Sequence, residues 1–394
     1  MHKLTRRDLL RLGAGAVIAA GAPAILGGCK DKQGATERTE TTEPAEPSSK
    51  VAAVCGDDLY AMTRQALEAV GGVAAIVQPG ETVFIKPNLV TIPWAQFNRN
   101  PFLLGECAKI EIVTAVAEEC LKAGATEVII GDSTQMPSYS WEYATTLDGA
   151  TNLAAEAKRL NSEYDGKVTL ACLDVDSPEW VDVPSRSRLG TIAISSLVAR
   201  ADRVISIPVL KTHSWAQLSL SLKNFLGVTP LARYGWVPSG MYSRLGFDHS
   251  SPQAIAQIYL DIVNAVKPDL AIIDASICVE GNGPSAGDGQ GITVDMRDRL
   301  GSWLLLASTD LVAADATAAR IIKHEVSSIR HLTMAYDMGL GEVREESIQI
   351  IGERLDDLRV DWVPAEPSVP PSAKGMPADR AERHASAPRM YPSL

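Results

Sequence analysis

Short apolar runs alternate along the chain with longer stretches in which apolar residues recur every three or four positions. The runs predict strands and the longer stretches predict amphipathic helices. Strands that alternate with helices are typical of βαβ units, which build parallel sheets. The predicted strands are 51–55, 83–85, 128–130, 168–173, 204–210, 270–273, 303–307 and 348–351, and the predicted helices are 59–70, 107–123, 150–160, 252–266, a helix from the capping residues 308–310 through 323, and 327–338. The pattern therefore predicts an α/β fold, with a mostly parallel, doubly wound (Rossmann-like) sheet, helices on both faces and loop insertions.

The body of this fold is predicted to span residues 51–352. Less regular residues at 134–190 predict an insertion over the sheet edge. Residues 231–251 predict a loop rich in arginine and aromatic side chains, which is either a lid over a ligand or a packed structural loop. Residues 353–394, which are rich in proline from 364 onward, predict a C-terminal tail that wraps the body or frays.

The chain is organised around the apolar run at 204–210, which ends abruptly in charged residues. Lys211 and His213 follow this run, and in an open α/β sheet ligands bind at the carboxyl ends of the strands. From 218 to 223 leucines alternate with serines and Lys223, which predicts a second strand or an extended arm. These side chains predict a cationic pocket for a carboxylate, a phosphate or an anionic cofactor. The alternative is a solvated strand end in which the same residues are structural.

Polar residues follow other predicted strands as well, and most of them should meet at one edge of a doubly wound sheet. A Lys or His beside a carboxylate supports general acid–base chemistry, because each partner shifts the pKa of the other. The acid–base candidates are His213, Lys211 and Asp132. The cofactor-binding candidates are Lys86, Asn88, Lys223, Asn224, Gly281, Asn282 and Gly283.

A metal site is a second interpretation of the acidic residues. Asp274 ends a predicted strand and Glu280 begins the following loop, and either can join His213 in binding a divalent ion. One histidine with several carboxylates suits magnesium, manganese or iron better than structural zinc. Each carboxylate can equally cap a helix or a turn: Asp310 is expected to be a cap, and Asp315 a capping or solvent-facing residue.

The glycine-rich stretch Gly281-Asn282-Gly283 resembles a phosphate cradle. It lacks both the Walker spacing and the dinucleotide fingerprint that follows a first strand. A tight turn is therefore the alternative to a phosphate-binding loop.

The net charge and the cysteine content limit the classes of ligand and partner that the protein is expected to bind. A net charge of −11 over 394 residues argues against nucleic acid, which needs a basic face. The six cysteines form no C-x-x-C pair and no dense cluster, so no iron–sulfur cluster is expected from this chain. The expected ligand is a small anion. The cofactor is unknown, and a divalent metal or an anionic cofactor would suit the predicted site.

Residues 1–28 are typical of an export signal, with a basic start and an apolar region too short to span a bilayer stably. Thr5-Arg6-Arg7-Asp8-Leu9-Leu10 matches a twin-arginine pattern, and Leu26-Gly27-Gly28-Cys29 resembles a bacterial lipobox. The polar residues 29–50 predict a flexible tether. We therefore expect export by the twin-arginine route to the cell envelope or periplasm, with a lipid anchor on Cys29. A signal without lipidation, or a helix kept as a membrane anchor, is the alternative.

Six motifs lie at or near the predicted strand ends: Ile85-Lys86-Pro87-Asn88, Gly131-Asp132-Ser133, Pro208-Val209-Leu210-Lys211-Thr212-His213, Ser221-Leu222-Lys223-Asn224-Phe225-Leu226-Gly227, Glu280-Gly281-Asn282-Gly283-Pro284 and Asp310-Leu311-Val312-Ala313-Ala314-Asp315. In this order, over roughly residues 51–352, they resemble the domain-of-unknown-function 362 family. The resemblance implies an α/β body and no settled activity. Some members of that family carry an added ferredoxin-type segment, and this chain does not.

Three functions are consistent with these observations. The first is an exported enzyme or cofactor-binding protein that acts on a small anionic compound through a crevice of Lys, His and carboxylate groups. The second is a non-catalytic envelope lipoprotein that binds a ligand or a partner. The third is a redox accessory protein with a redox partner in the envelope, which the missing cysteine cluster disfavours.

Overall fold

The computed structural model describes residues 47–235, 244–287, 290–366 and 368. The strands are β1 Ser49–Gly56, β2 Thr82–Pro87, β3 Glu127–Asp132, β4 Lys167–Cys172, β5 Trp180–Pro184, β6 Thr191–Ser195, β7 Arg203–Ile207, β8 Val209–His213, β9 Gln217–Ser219, β10 Leu270–Gly281, β11 Gly291–Asp295, β12 Trp303–Ser308 and β13 Ile348–Gly352. The helices are α1 Leu59–Ala69, α2 Ile110–Lys122, α3 Leu153–Glu163, α4 Leu173–Asp176, α5 Ser196–Ala199, α6 Ser221–Asn224, α7 Leu231–Tyr234, α8 Pro252–Val266, α9 Arg297–Leu300, α10 Leu311–Ile321 and α11 Arg330–Asp337. Every predicted strand and helix overlaps an observed element of the same type.

One sheet of eleven strands organises the protein, and its main path runs β13-β1-β12-β10-β7-β2-β3-β4. Neighbouring strands from β10 to β4 are parallel, whereas β12 is antiparallel to both β1 and β10. The predicted α/β fold is confirmed as a mostly parallel mixed sheet. The chain moves outward from β2 to β3 and β4 on one side, and from β7 to β10 on the other. The order therefore reverses between β2 and β7, where a doubly wound sheet opens its ligand crevice.

Helices cover both faces of this sheet. Along β2, Val83 and Ile85 belong to a core that includes residues of α1, α2 and α3. Phe84 lies between them and belongs to the core of the other face, with residues of α8, α10 and α11. A strand that is buried on both faces needs apolar residues at every position, which explains the continuous apolar runs in the sequence.

The predicted strand at 204–210 is divided at Pro208 into β7 and β8. Proline has no N–H to donate to a ladder, so it marks the point at which a strand bends or changes partner. Beyond it, β8 continues to His213 and pairs with β10 in parallel and with β9 in antiparallel. Lys211 and His213 therefore lie within a buried strand of a hairpin, and not at a solvated strand end.

The predicted arm at 218–223 is correct only in its first residues. β9 ends at Ser219, and the short helix α6 begins at Ser221. Leu218, Leu220 and Leu222 are all buried, as their alternation predicted, but Ser219 and Ser221 are buried as well. An alternating pattern cannot predict that α6 interrupts the strand, because a distant residue of α10, described below, fixes the start of this helix.

β10 is longer than predicted and continues from Leu270 to Gly281. Its second half pairs with β8 and with β11, so its backbone groups remain hydrogen-bonded beyond the apolar run. Asp274 was expected at the end of this strand and lies inside it instead. The charged Asp274 in the middle of β10 concealed the continuation from the sequence pattern.

The region predicted as an insertion at 134–190 is in large part regular. β4 is the edge strand of the main sheet, parallel to β3, and α3 is the helix that connects them. Only the antiparallel pair β5 and β6 forms a separate sheet of two strands.

Both ends of the body differ from the predicted boundaries. β1 begins at Ser49, within the range assigned to the tether. After β13 the chain continues along the body, where Leu358 and Trp362 are buried. We call residues 360–366 the C-terminal strap; beyond it, Ser368 N donates to Ser214 O at 2.8 Å. The tail predicted from 353 therefore starts as a packed segment.

The predicted export signal, Cys29 and residues 30–46 of the tether lie outside the described residues, as does the part of the tail after Ser368. None of the described helices is long and apolar enough to cross a membrane.

Candidate functional site

A buried ion pair lies at the ends of β2 and β3. Lys86 Nζ is 2.6 Å from Asp132 Oδ1, and it also donates to Pro87 O at 2.7 Å and to Asn224 Oδ1 at 3.2 Å. Asp132 Oδ2 accepts a hydrogen bond from Leu89 N at 2.8 Å. Burial lowers the pKa of Lys86 and raises that of Asp132, and their mutual attraction opposes both shifts. Adjacent parallel strands thus bring together two residues that the sequence predicted for the same site.

The segment after β9 covers this pair. Asn224 Nδ2 donates to Lys86 O at 2.7 Å and to Ser206 Oγ at 3.1 Å, which joins α6 to β2 and β7. A Cβ atom on Gly227 would overlap Asp132 Oδ1 and lie 2.8 Å from Lys86 Nζ. Glycine is required at 227 because the backbone passes directly over the two charged groups.

Lys211 lies in β8 with 1% of its surface exposed. Its Nζ donates to the backbone oxygen of Glu106 at 2.7 Å. Among the described residues it forms no salt bridge with a carboxylate. Burial is the main cause that lowers the pKa of Lys211 to about 8. Burial also raises the pKa of the nearby Cys107 thiol to about 11, so this thiol is protonated and unreactive at neutral pH.

Lys223 is carried by α6 and is half-buried. The start of α6 is fixed by Asp315 of α10, whose Oδ1 accepts from Ser221 N at 2.9 Å and whose Oδ2 accepts from Leu222 N at 3.1 Å. Burial raises the pKa of Asp315 to about 7. Of the two roles predicted for Asp315, capping and solvent-facing, the structure shows capping. Asp315 is buried, and it caps α6 although it belongs to α10.

The Lys223 ammonium group has no hydrogen-bond or ion-pair partner within the part of the chain that the structure describes. Burial lowers its pKa to about 7, and the positive charges of Lys211 and Lys86 add to this shift. Two of the three lysines predicted for the site, Lys211 and Lys86, therefore act electrostatically on the third, Lys223.

Two buried histidines flank Trp215. Its ring centroid lies 5.7 Å from that of His213 and 5.6 Å from that of His249. His213 Nδ1 accepts a hydrogen bond from Trp215 N at 3.0 Å, which assigns the proton of the neutral ring to Nε2. His249 Nδ1 lies 2.9 Å from Phe247 O, which requires an N–H donor there and leaves Nε2 bare.

Both histidines are neutral at pH 7. Burial lowers the pKa of His213 well below its usual value and that of His249 to about 4. The positive charge of Lys223 adds to both shifts. The pair therefore offers one N–H donor and one bare nitrogen acceptor, which are the groups needed to give and to take a proton.

Arg244 adds a further cation beside β3. Its Nη2 donates to Ser133 Oγ at 2.6 Å and to Thr229 O at 2.9 Å, and its Nη1 donates to Thr134 O at 3.1 Å. Ser133 Oγ in turn donates to Asp174. Arg244 therefore ties the loop after α7 to the end of β3.

Asn88 lies at the point where the strand order reverses. Its N donates to Ile207 O at 2.9 Å, and its O accepts from Ala108 N at 2.8 Å. Its side-chain Oδ1 accepts from Val90 N at 3.3 Å. Asn88 thus joins the ends of β2 and β7, and this accounts for its place in the motif without a ligand.

The glycine-rich loop uses its amide groups within the protein. Gly281 N donates to Val363 O at 2.8 Å, Gly283 N donates to Gly281 O at 2.9 Å, and Asn282 Oδ1 accepts from Glu366 N at 2.7 Å. Of the amides predicted to hold a phosphate, Gly281 N is thus engaged by the C-terminal strap and Gly283 N by Gly281 O.

Further along the loop, Ala286 N and Gly287 N donate to the buried carboxylate of Glu106 at 2.8 and 2.9 Å.

The two predicted metal ligands are engaged separately. Asp274 Oδ2 lies 3.1 Å from the buried Lys109 Nζ, and its Oδ1 accepts from Ser276 Oγ at 2.5 Å. Glu280 Oε1 lies 2.9 Å from Arg299 Nη2, and Glu280 Oε2 accepts from the strap.

Within residues 47–235, 244–287, 290–366 and 368, no group of three His, Cys, Asp or Glu side chains could hold a metal ion. The structure does not assemble the predicted metal site.

Hydrogen bonds and electrostatic interactions link eight side chains of this region, and we call this group the lysine crevice: Lys86, Asp132, Lys211, His213, Lys223, Asn224, Arg244 and His249. The last two lie in the loop whose composition predicted ligand contacts, but the sequence did not select them individually. Glu106 and Lys109 carried no signal, because neither follows a predicted strand.

A search among curated proteins finds the "Thylakoid-associated protein sll1697" of Synechocystis sp., which is 27% identical over 292 residues. The match covers 73% of this chain and 77% of the relative. Among solved structures, the lactate racemase apoprotein of Thermoanaerobacterium thermosaccharolyticum is similar with a TM-score of 0.31 and 12% identity, over 58% of this chain and 51% of that one. A Thermotoga maritima protein is similar with a TM-score of 0.35 and 10% identity, over 72% and 60%.

The family described as "Domain of unknown function (DUF362)" matches residues 83–320, which is more than half of the chain. This range extends from β2 to the end of α10 and contains all residues of the lysine crevice. The chain belongs to the DUF362 family.

Proposed function

We propose that the lysine crevice binds a small anionic compound, a carboxylate or a phosphate, and acts on it by proton transfer. One observation carries the proposal. Lys211 lies close enough to Lys223 to lower the pKa of Lys223, and neither lysine forms a salt bridge with a carboxylate among the described residues. Buried or half-buried positive charges without counter-ions are costly.

A bound anion would supply the missing counter-charge. In its absence the site limits the cost by lowering the pKa of Lys223 to about 7 and that of Lys211 to about 8. An anion would raise both pKa values again, since opposite charges favour the protonated amine. Binding should therefore take up protons at neutral and mildly alkaline pH.

The histidine pair supports an enzyme in preference to a simple binding protein. The Nε2–H of His213 can donate to a substrate oxygen, and the bare Nε2 of His249 can accept a proton. A ligand held only by charge would need neither group. Proton transfer by positioned side chains contributes typically 10²–10⁴-fold to a rate, an order-of-magnitude range.

Thermal denaturation with added anions tests the binding step. Inorganic phosphate and pyruvate should each raise the Tm at constant ionic strength, whereas sodium chloride and the uncharged methyl pyruvate should not. Lys211→Met should weaken the anion effect about tenfold or more in apparent affinity, since a charge-assisted contact contributes about 1.5–3 kcal/mol. Lys167→Met is the matched control, because Lys167 is an exposed lysine of β4.

The proposal is wrong if neither anion shifts the Tm, or if Lys167→Met weakens binding as much as Lys211→Met. A non-catalytic ligand-binding protein is the other function to separate. In that case His213→Ala would change affinity alone, with no turnover to lose.

We also propose that the protein works at the cell envelope, exported by the twin-arginine route and anchored through Cys29. The basis is the sequence of residues 1–29. The printed name of the Synechocystis relative, a thylakoid-associated protein, agrees with a membrane setting. Cys29→Ala should release the protein from the membrane fraction while Cys55→Ala should not, and equal fractionation of both would contradict the anchor.

A further inference from the structure

Lys223 differs from the two other lysines of the crevice. Lys86 and Lys211 hold their ammonium groups on protein oxygens at 2.6 and 2.7 Å. The Lys223 amine has neither a hydrogen bond nor an ion pair among the described residues. Its position is nevertheless defined, because Asp315 fixes the start of α6. The crevice thus contains one positioned amine that none of the described protein groups binds.

The surroundings of Lys223 favour the uncharged form of this amine. The titratable groups that interact with it electrostatically are Lys211, Lys86, His213, His249 and His331. Within the described part of the chain, none of the groups that shift its pKa is a carboxylate. An amine that is desolvated beside other cations is a nucleophile at neutral pH.

We propose that Lys223 forms an imine with a small oxo acid, a compound that carries a carbonyl group next to a carboxylate or phosphate. This inference rests on the proposed function, because Lys211, whose ammonium group has one hydrogen-bond partner among the described residues, would hold the anionic group. A protonated imine is itself a cation. In a crevice that already has excess positive charge, the substrate must bring its own negative charge to neutralise it.

The step balances without an oxidant or a further reactant. The lone pair of Lys223 Nζ attacks the carbonyl carbon, and the carbon–oxygen π bond breaks to give a carbinolamine. A carbon–nitrogen double bond then forms as the carbon–oxygen single bond breaks. Both protons of the amine leave with that oxygen as water, and the imine nitrogen then takes one proton from the solvent to become the protonated imine. The bare Nε2 of His249 can carry these protons from nitrogen to oxygen, and the Nε2–H of His213 can polarise the carbonyl.

Reductive trapping tests the imine on the full chain. The protein is incubated with pyruvate and sodium cyanoborohydride, and adducts are located by intact-mass and peptide mass spectrometry. We expect one reduced pyruvyl adduct, on Lys223, with a labelling rate that is half-maximal near pH 7. Excess inorganic phosphate should slow the labelling, because it competes for the same cations. Lys223→Arg, which keeps the charge, should abolish the adduct, and the control Lys167→Arg should not.

The outcomes separate this inference from the proposed function. If pyruvate raises the Tm but leaves no adduct on Lys223, the imine is wrong and the anion site stands. If phosphate alone raises the Tm and pyruvate forms no adduct, the imine alone is wrong. If neither phosphate nor pyruvate raises the Tm and no adduct forms, both proposals are wrong. Labelling spread over several lysines and equal in Lys223→Arg would also overturn the imine. Because the adduct is mapped on the unaltered protein, the result does not depend on whether a variant folds.

Discussion

Lys86 Nζ lies 2.6 Å from Asp132 Oδ1, and both side chains are almost fully buried. Removing one partner of such a pair leaves an uncompensated charge in the interior. Asp132→Asn should therefore lower the free energy of unfolding by about 3 kcal/mol at neutral pH. Urea denaturation followed by circular dichroism measures the change.

A surface pair provides the comparison for this variant. Glu118 Oε1 lies 2.9 Å from Lys122 Nζ on α2, where solvent screens the charges. Glu118→Gln should cost less than about 1 kcal/mol. If Asp132→Asn costs no more than Glu118→Gln, the Lys86–Asp132 pair does not behave as a buried ion pair.

Lys223→Met should stabilise the protein in acid and not in strong alkali. The pKa of Lys223 is about 7 in the folded state, against an ordinary value of 10.5. Between these two values the unfolded chain binds more protons, so the stability of the unaltered protein rises with pH across that window. Below about pH 7 the folded protein carries the full cost of keeping a protonated Lys223 in this environment. At about pH 6 the Lys223→Met variant should have a free energy of unfolding about 1–2 kcal/mol higher than that of the unaltered protein. One pKa unit corresponds to about 1.4 kcal/mol, and solvent screening reduces the effect for a half-buried amine.

Thermal melts at several pH values measure this difference. The gain from Lys223→Met should shrink as the pH approaches 10.5, the ordinary pKa of lysine. Lys167→Met should show no such trend, because Lys167 is exposed on β4. A gain that does not depend on pH would mean that packing of the methionine, and not the removed charge, stabilises the variant.

Asp315→Ala should weaken both stability and anion binding, because Asp315 binds the first N–H groups of the helix that carries Lys223. The loss of a cap costs about 0.5–2 kcal/mol. Asp58→Ala is the matched control, since Asp58 accepts from Tyr60 N and Ala61 N at the start of α1. Both variants should lower the Tm, but only Asp315→Ala should reduce the phosphate-induced shift. Equal phosphate shifts in the two variants would show that α6 does not position the site.

Gly227→Ala should disturb the crevice directly. The added methyl group would press on Asp132 and Lys86, and overpacking of a buried site costs about 1–3 kcal/mol. Gly149→Ala is the control, because nothing lies within 4 Å of a Cβ there and only the strain of its φ of +70° remains. Titration with phosphate should show weakened binding in Gly227→Ala alone. Unchanged phosphate affinity would argue that the segment over the ion pair can move aside.

The arrangement of strands was predictable because burial acts on every residue of a central strand. Val83, Phe84 and Ile85 are all apolar since each face of β2 carries its own core. The proximity of Lys86 and Asp132 was also predictable, because neighbouring parallel strands place their carboxyl ends side by side. In both cases the structural cause is local and repeats along the chain.

Asp315 and Asp274 show where that logic ends. Asp315 bonds to Ser221 N, 94 residues away, and nothing near either residue indicates the other. Asp274 looked like the end of a strand because it is a charged residue directly after the apolar run 270–273, although pairing with β8 and β11 carries β10 onward. A sequence pattern records which side chains are buried, but not which distant backbone groups they bind.

The C-terminal strap determines how the protein should be labelled in an experiment. Val363 binds Glu280, and Ser368 reaches Ser214 in the hairpin that carries His213. A label attached at residue 368 itself would stand next to the hairpin that carries His213. β1, by contrast, lies between β12 and β13 on the part of the sheet away from β2. A label attached at β1 would therefore stand apart from the strand ends that carry Lys86 and Asp132.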